Sequence, residues 1–167
     1  MKKIIIISKG KKHICLIDDE DYDLIKKYPW SLNGDGKKGY AQSHIAGKTI
    51  FMHRLILGIL NNPEVETDHI NRCRLDNRRF NLRKCTHSEN RKNTNSWGKS
   101  KYLGVSIVNY IKRYYDKVYH YTDIRAAIRI NGKQKHLGCF KTEIEAAKIY
   151  DEQAKIHHKE FANLNFK

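Results

Sequence analysis

The sequence predicts an α+β protein of two small units: a strand–loop–strand–helix unit in the first half, and a three-stranded antiparallel sheet packed on one helix in the second. Three observations predict it. Thr86-His87-Ser88-Glu89 and Thr142-Glu143-Ile144-Glu145 each have the form of a capping box, so a helix should open at His87 and another at Glu143. Ile124–Ile130 alternates, with Arg125, Ala127 and Arg129 on one face and Ala126, Ile128 and Ile130 on the other. It runs into Asn131-Gly132, a two-residue hairpin turn signal. Asn93–Ser100 is rich in Asn, Ser, Gly and Lys without periodicity and reads as a connection, with units at 1–95 and 101–167 and a linker at 96–100.

The elements follow in order. Ile4–Ile7 and His13–Ile17 are apolar runs around Lys9-Gly10-Lys11, a hairpin. Acidic Asp18-Asp19-Glu20 opens a short helix through Tyr22, Leu24 and Ile25 that ends before Pro29. Asn33-Gly34-Asp35-Gly36 is a turn, Tyr40–Ile45 a strand, and Phe51–Leu60 a buried helix carrying a packed or phosphate-facing His53. Val65–Ile70 and Asn81–Cys85 are strands joined by a polar, arginine-rich loop, and Asn90 falls in the first turn of the helix that follows. In the second half, Lys101–Ile107, Ile124–Ile130 and Lys133–Phe140 are the three strands. The helix presents Ala146, Ala147 and Ala154, small enough to lie close to a sheet.

Net charge is +15 over 167 residues, divided as 20 basic against 11 acidic side chains in 1–99 and 13 against 7 in 100–167. Neither half is a basic tail on a neutral body, so both can meet a polyanion, and nucleic acid is favoured over a merely solubilising surface. Ile4–Ile7 is too short for a membrane span or secretory signal, which predicts an intracellular chain without membrane attachment. Cys15, Cys73, Cys85 and Cys139 then read as reduced thiols. A zinc site on Cys73 and Cys85 lacks a Cys-x-x-Cys knuckle, and two small buried thiols are the preferred reading.

The chemistry concentrates in Asp68-His69, followed by Asn81 and by Asn90, 22 positions after Asp68. A carboxylate beside an imidazole supplies a hard oxygen ligand for a divalent cation and a base for a water. Arg72, Arg74, Arg78, Arg79 and Arg83 crowd around it and would position a phosphate backbone without reading its sequence. Metal, base and positive surface together point to cutting of a phosphodiester.

Asp-His-Ile-Asn, Leu-Asp-Asn-Arg-Arg and Asn-Leu-Arg, with Asn90 beyond them, resemble the HNH endonuclease family, and residues 1–95 look like its phage and intron-encoded members. The resemblance implies a ββα-metal core over about 65–95, with Asp68 and Asn90 as metal ligands and His69 as general base. Asn81 would brace the loop and orient the histidine backbone. Asn90, where many members have histidine, favours one oxygen-loving ion, Mg2+ or Mn2+. A host-cell location follows for a phage- or intron-encoded enzyme of this kind.

Residues 100–166 resemble the plant Apetala-type (ethylene-response-factor) DNA-binding domain. The resemblance rests on Tyr102-Leu103-Gly104-Val105, Ala126-Ala127-Ile128-Arg129, Leu137-Gly138-Cys139-Phe140, Ala146-Ala147-Lys148-Ile149-Tyr150-Asp151 and Ala162-Asn163-Leu164-Asn165-Phe166. It implies a sheet lying in the major groove of double-stranded DNA, with Ser106, Arg129, Gln134, His136 and Tyr150 facing the groove and Arg125 beside them by alternation. Departures from that pattern are Leu103 and Ser106 at basic positions, His136 in place of Trp, and a longer Tyr/Lys-rich connection over Ile107–Asp123.

The expectation is therefore a DNA endonuclease of the homing type. One ion and one base hydrolyse one phosphodiester per encounter, and no heptad run provides a dimer seam, so a monomeric nickase is favoured over a double-strand cutter. The rival is a catalytically inactive, sequence-specific DNA-binding regulator. Intact Asp68, His69, Asn81 and Asn90 argue against it.

Overall fold

The computed structural model describes residues 1–34, 39–94, 96 and 98–166. The chain folds as two compact units, Met1–Asn90 and Arg91–Lys167. It is a mixed α+β protein with several small antiparallel sheets.

The first unit opens with β1 (Lys2–Ser8) and β2 (Lys11–Ile17) as an antiparallel hairpin. Lys9 and Gly10 turn it with φ of +49° and +71°, the left-handed pair that a type I′ turn requires. A short turn of 3-10 helix at Asp19–Asp21 leads into α1 (Tyr22–Ile25), and Trp30 Nε1 donates to the Ile25 carbonyl at 2.8 Å, tying down the chain after the helix. Next come β3 (Ser31–Asn33), β4 (Tyr40–Ile45) and β5 (Lys48–Phe51) in an antiparallel sheet ordered β3-β4-β5. Only β4 was legible in the sequence. The Asp35-Gly36 part of the expected turn lies outside the described residues.

The helix expected over Phe51–Leu60 is shorter: Phe51 ends a strand and α2 spans Met52–Ile56. Gly58 at φ +64° ends the helical path, a conformation that glycine adopts without strain. β6 (Glu66–His69) and β7 (Leu82–Cys85) form a two-stranded antiparallel sheet, and α3 (His87–Asn90) follows. Asn81, expected to begin the second strand, lies instead in a 3-10 turn at Arg79–Asn81. The capping box at Thr86 is present: Thr86 N donates to Glu89 Oε2 at 2.8 Å and Glu89 N to Thr86 Oγ1 at 3.3 Å.

One core serves the unit. Ile6, Cys15, Ile17, Ile25, Ala41, Met52 and Leu82 come together from both hairpins, both early helices and β7. A fully buried isoleucine contributes about 1.5–3 kcal/mol, and Ile6, Ile17 and Ile25 come from β1, β2 and α1. The loop between β6 and β7 is stitched to β2 by Leu16 N→Leu75 O and Asn77 N→Leu16 O, both 2.8 Å.

In the second unit, β8 (Val105–Tyr114), β9 (Lys117–Ile130) and β10 (Lys133–Phe140) form an antiparallel sheet ordered β10-β9-β8, packed on α4 (Glu143–His158). Asn131 and Gly132 make the β9–β10 turn with φ of +48° and +78°. The segment expected as a long connection, Ile107–Asp123, is itself strand: β8 and β9 stay paired from Val105↔Ala126 to Tyr114↔Lys117. α4 buries Ala146, Ala147, Tyr150 and Ala154 against Val105, Ala126 and Ile128. Its capping box, Thr142 with Glu145, is complete. Gly104 permits the close approach, since a Cβ there would sit 1.9 Å from Tyr150 Cδ2.

The closing segment is locked by buried Asp151, whose carboxylate accepts from Asn165 N and Phe166 N, both at 2.9 Å. Asn165 in turn exchanges two hydrogen bonds with the Leu103 backbone. Of the expected connecting stretch, Asn95 and Trp97 lie outside the described residues. Ser96 Oγ donates to Lys101 O at 3.1 Å, and Ser100 Oγ to Glu143 Oε2 at 2.5 Å. Among the described residues no helix is long and apolar enough to cross a membrane.

Candidate active site

β6 carries the Asp-His pair, and pairing with β7 sets Asp68 opposite Arg83 and His69 opposite Leu82. Alternation along the strand puts Glu66 and Asp68 on one face, about 7 Å apart, and His69 on the other. Both Asp68 and His69 are buried, at 3% and 5% exposure.

His69 is held by a residue to which the sequence reading gave no role. Its Nε2 lies 3.1 Å from Asn77 Oδ1, and Asn77 is itself fully buried. The Asn77 amide donates through Nδ2 to Cys15 Sγ at 2.9 Å, which leaves Oδ1 to accept from the imidazole. Nε2 then carries the proton and Nδ1 is the basic nitrogen. Burial holds the imidazole below its usual pKa, with the Asn77 bond and the Asp68 carboxylate opposing that effect. The ring is therefore neutral at pH 7.

Around His69 stands an aromatic wall. His53 meets it edge-on at 5.2 Å between centroids, Tyr40 lies 6.0 Å away, Phe51 stacks on His53, and the Arg74 guanidinium sits over Tyr40 at 4.5 Å. His53 is a packed residue whose buried Nδ1 has no hydrogen-bond partner among the described residues. Burial pushes its pKa down to about 3.

Asn81 makes the bonds of a loop brace. Its Oδ1 accepts from Asn71 N at 2.8 Å, its Nδ2 donates to Asp76 O at 2.7 Å, and its carbonyl accepts from Ile70 N at 2.9 Å. Asn90 reaches β6 through Glu66, donating Nδ2 to Oε2 at 2.7 Å. His87, largely exposed, adds a contact to the other oxygen at the same distance. The Asn90 amide, with His87 helping, holds the Glu66 carboxyl below its usual range. Glu66 is the second residue whose part was not legible in the sequence.

Asp68 accepts from Arg83, Nε at 2.8 Å and Nη2 at 2.5 Å. The Asp68 and Glu66 carboxylates and the Asn90 amide oxygen are hard oxygens, the donor type that suits a cation of the Mg2+ or Mn2+ kind. The Arg83 guanidinium already places positive charge at Asp68. Among the described residues no three or more His, Cys, Asp or Glu side chains gather into a metal cluster.

The remaining arginines are more committed than expected. Arg78 forks onto Asp76 with two 2.7 Å bonds, and Arg79 grips Asp21 at 3.0 and 2.7 Å and also meets Glu20. The Arg78 pair stays within the loop, the Arg79 pairs hold the loop to Asp19–Asp21, and the Arg83 pair joins β7 to β6, so all three arginines have structural roles. Arg72 is exposed with φ +62°. Cys85 is buried, as two buried thiols would require, but Cys73 is exposed.

In the second unit, Ser106, Arg125, Arg129, Gln134 and His136 share the face of the sheet opposite α4: Ser106 pairs with Arg125, Gln134 with Arg129 and His136 with Ala127. Arg125 is tied to Asp123 at 2.8 Å. Tyr150 does not belong to this set. It is buried between α4 and the sheet, where it fills the space over Gly104, so it cannot face a groove.

No protein-family model matches the chain, and no solved structure does. The chain is similar to a protein of Acanthamoeba polyphaga mimivirus named as an uncharacterized HNH endonuclease, with 28% identity over 165 residues, 96% of this chain and 79% of the viral protein. The similarity thus runs through both units and makes the two proteins distant relatives.

Proposed function

We propose that this chain is a metal-dependent DNA endonuclease of the HNH type, targeted by its C-terminal sheet and cutting one strand per encounter. The observation that carries the reading is a buried histidine, hydrogen-bonded to an asparagine, next to a buried carboxylate on the same short strand. The distant viral relative supports it.

His69 takes a proton from water at Nδ1 while Asn77 stabilises the charge appearing on Nε2. A divalent ion, Mg2+ or Mn2+, held by Asp68 and Asn90 would supply Lewis acidity at the scissile phosphate and the departing oxygen. Asn81 fixes the loop that follows His69, and Glu66 holds Asn90 against the strand that bears Asp68. Burial of Asp68 and His69 excludes bulk water from the base. In the second unit the helix-free face, with Ser106, Arg125, Arg129, Gln134 and His136, is the surface offered to the major groove.

The Asp68–Arg83 ion pair favours the rival reading, a regulator that binds DNA without cutting it. A time course on supercoiled plasmid, with Mg2+ and with EDTA, separates the two. Open-circular product accumulating first in Mg2+ and absent in EDTA supports the nickase. Linear product from the start contradicts the single-strand reading, and no cutting in either condition contradicts the enzyme.

A further inference from the structure

The β8–β9 hairpin is longer than its sheet. β10 pairs with β9 only from Ile130 to Ile124, so the seven residues Lys117–Asp123 of β9 pair with β8 alone. At about 3.4 Å per residue this is a two-stranded ribbon roughly 24 Å long. Neither α4 nor a third strand covers its outer part: every residue from Ile111 to Thr122 is exposed.

An uncovered ribbon of this length is marginal without a cross-strand device. The device here is tyrosine. Tyr110 and Tyr121 are directly opposed and stacked at 5.4 Å between centroids with 13° between planes, and Tyr114 meets Tyr119 edge-on at 6.0 Å. Lys112 lies between the two pairs with its Nζ over both Tyr110 and Tyr121, at 5.7 and 5.4 Å. Alternation places all five residues on one face, and that face continues along β9 into Arg125 and Arg129. The ribbon therefore prolongs the helix-free face of the sheet.

The tip points the same way. Tyr115 is fully exposed and takes φ +52°, where a bulky residue is strained. The other hairpin of this sheet turns on Asn131-Gly132, which suits that conformation. Among the described residues no hydrogen bond or ring contact engages the Tyr115 ring, and backbone strain kept at an exposed position points to a use outside the fold.

We propose that residues 108–123 form a β-ribbon arm that lies in a groove of duplex DNA, extending the contact of the sheet. This rests on the reading of the chain as a DNA-acting protein. A two-stranded ribbon fits the roughly 12 Å width of the major groove. Tyrosine hydroxyls offer donors and acceptors to base edges, and Lys112, Arg113 and Lys117 supply cations against phosphate. At 3.4 Å per base pair the arm covers about seven base pairs.

The test compares the full chain with two variants: one in which Asn-Gly replaces residues 109–122, and the double substitution Lys112→Ala, Tyr119→Ala. Each is titrated in EDTA against a duplex selected by the full chain from a random-sequence 60-bp pool, and the complex is footprinted with hydroxyl radicals. The arm predicts a footprint about seven base pairs shorter at one end and a Kd raised about tenfold for the shortened chain. The double variant keeps the fold and shows an intermediate loss. An unchanged footprint and Kd in both variants overturns the arm while leaving DNA binding by the rest of the chain intact. A full chain that protects no duplex overturns the DNA reading and the arm with it. Self-association of the full chain in sedimentation that vanishes on shortening, with the footprint unchanged, assigns the tyrosine face to a second copy and overturns the arm equally.

Discussion

Asn77 Oδ1 stands 3.1 Å from His69 Nε2, and the same amide reaches Cys15 Sγ through its nitrogen. The His69 imidazole is thereby tied to the core of the unit, through β2, as well as to its own strand. Asn77→Ala should remove that tie. Cleavage should fall by part of the about 10²–10⁴-fold that a general base provides. Stability should fall by roughly 1–3 kcal/mol, since a buried imidazole N–H and the thiol lose their partner. Urea unfolding and single-turnover cleavage, both with DNA affinity as control, check the two effects. An Asn77→Ala enzyme that cuts at the wild-type rate means that His69 needs no such brace.

Arg83 and Asp68 form a pair that is little exposed, with side chains 18% and 4% accessible. Arg83→Met removes the guanidinium from a buried carboxylate, and partner loss of this kind costs roughly 3–5 kcal/mol. Mn2+ should restore part of that loss by binding the carboxylate instead, visible as a melting temperature that rises with Mn2+ in the variant more than in the wild type. No gain over an EDTA control would remove Asp68 from the proposed ligands of the metal.

His53 gives the first unit an acid sensitivity with a definite sign. Its pKa is about 3 in the fold, against about 6.5 in an unfolded chain, so unfolding takes up a proton between those values. The group imposes no penalty above pH 6.5, and stability is lost progressively as pH falls from 6.5 toward 3. At pH 5 the loss is on the order of 2 kcal/mol. His53→Phe keeps an aromatic ring against Phe51 and Tyr40 and should flatten this part of the stability–pH curve. The same acid slope in wild type and variant, by urea unfolding at pH 5 and pH 7.5, would show that His53 is not its source.

What was legible in the sequence was the local chemistry. Lys9-Gly10, Asn131-Gly132 and the two capping boxes marked turns and helix starts because their geometry depends on neighbouring residues alone. Asp68, His69, Asn81 and Asn90 stood out as residue types at a spacing. Glu66 and Asn77 did not, because their parts depend on what the fold brings to them: α3 for Glu66, and for Asn77 a cysteine 62 positions away. Arg79 likewise looked like a phosphate contact until the fold set it on Asp21, 58 positions away. The β8–β9 ribbon was hidden for the opposite reason. Its turn, Tyr115-Asp116, lacks the Gly or Asn that announces a hairpin, and its exposed strands show no alternation between a buried and a polar side.

His69, as the proposed base that activates water, is open to a direct test. The most direct measurement is single-turnover cleavage of supercoiled plasmid in Mg2+ by wild type and His69→Ala, both at protein concentrations that saturate the DNA. With His69 as the base, His69→Ala should keep its DNA affinity and nick about 10²–10⁴-fold more slowly. Nicking by His69→Ala at the wild-type rate would contradict it.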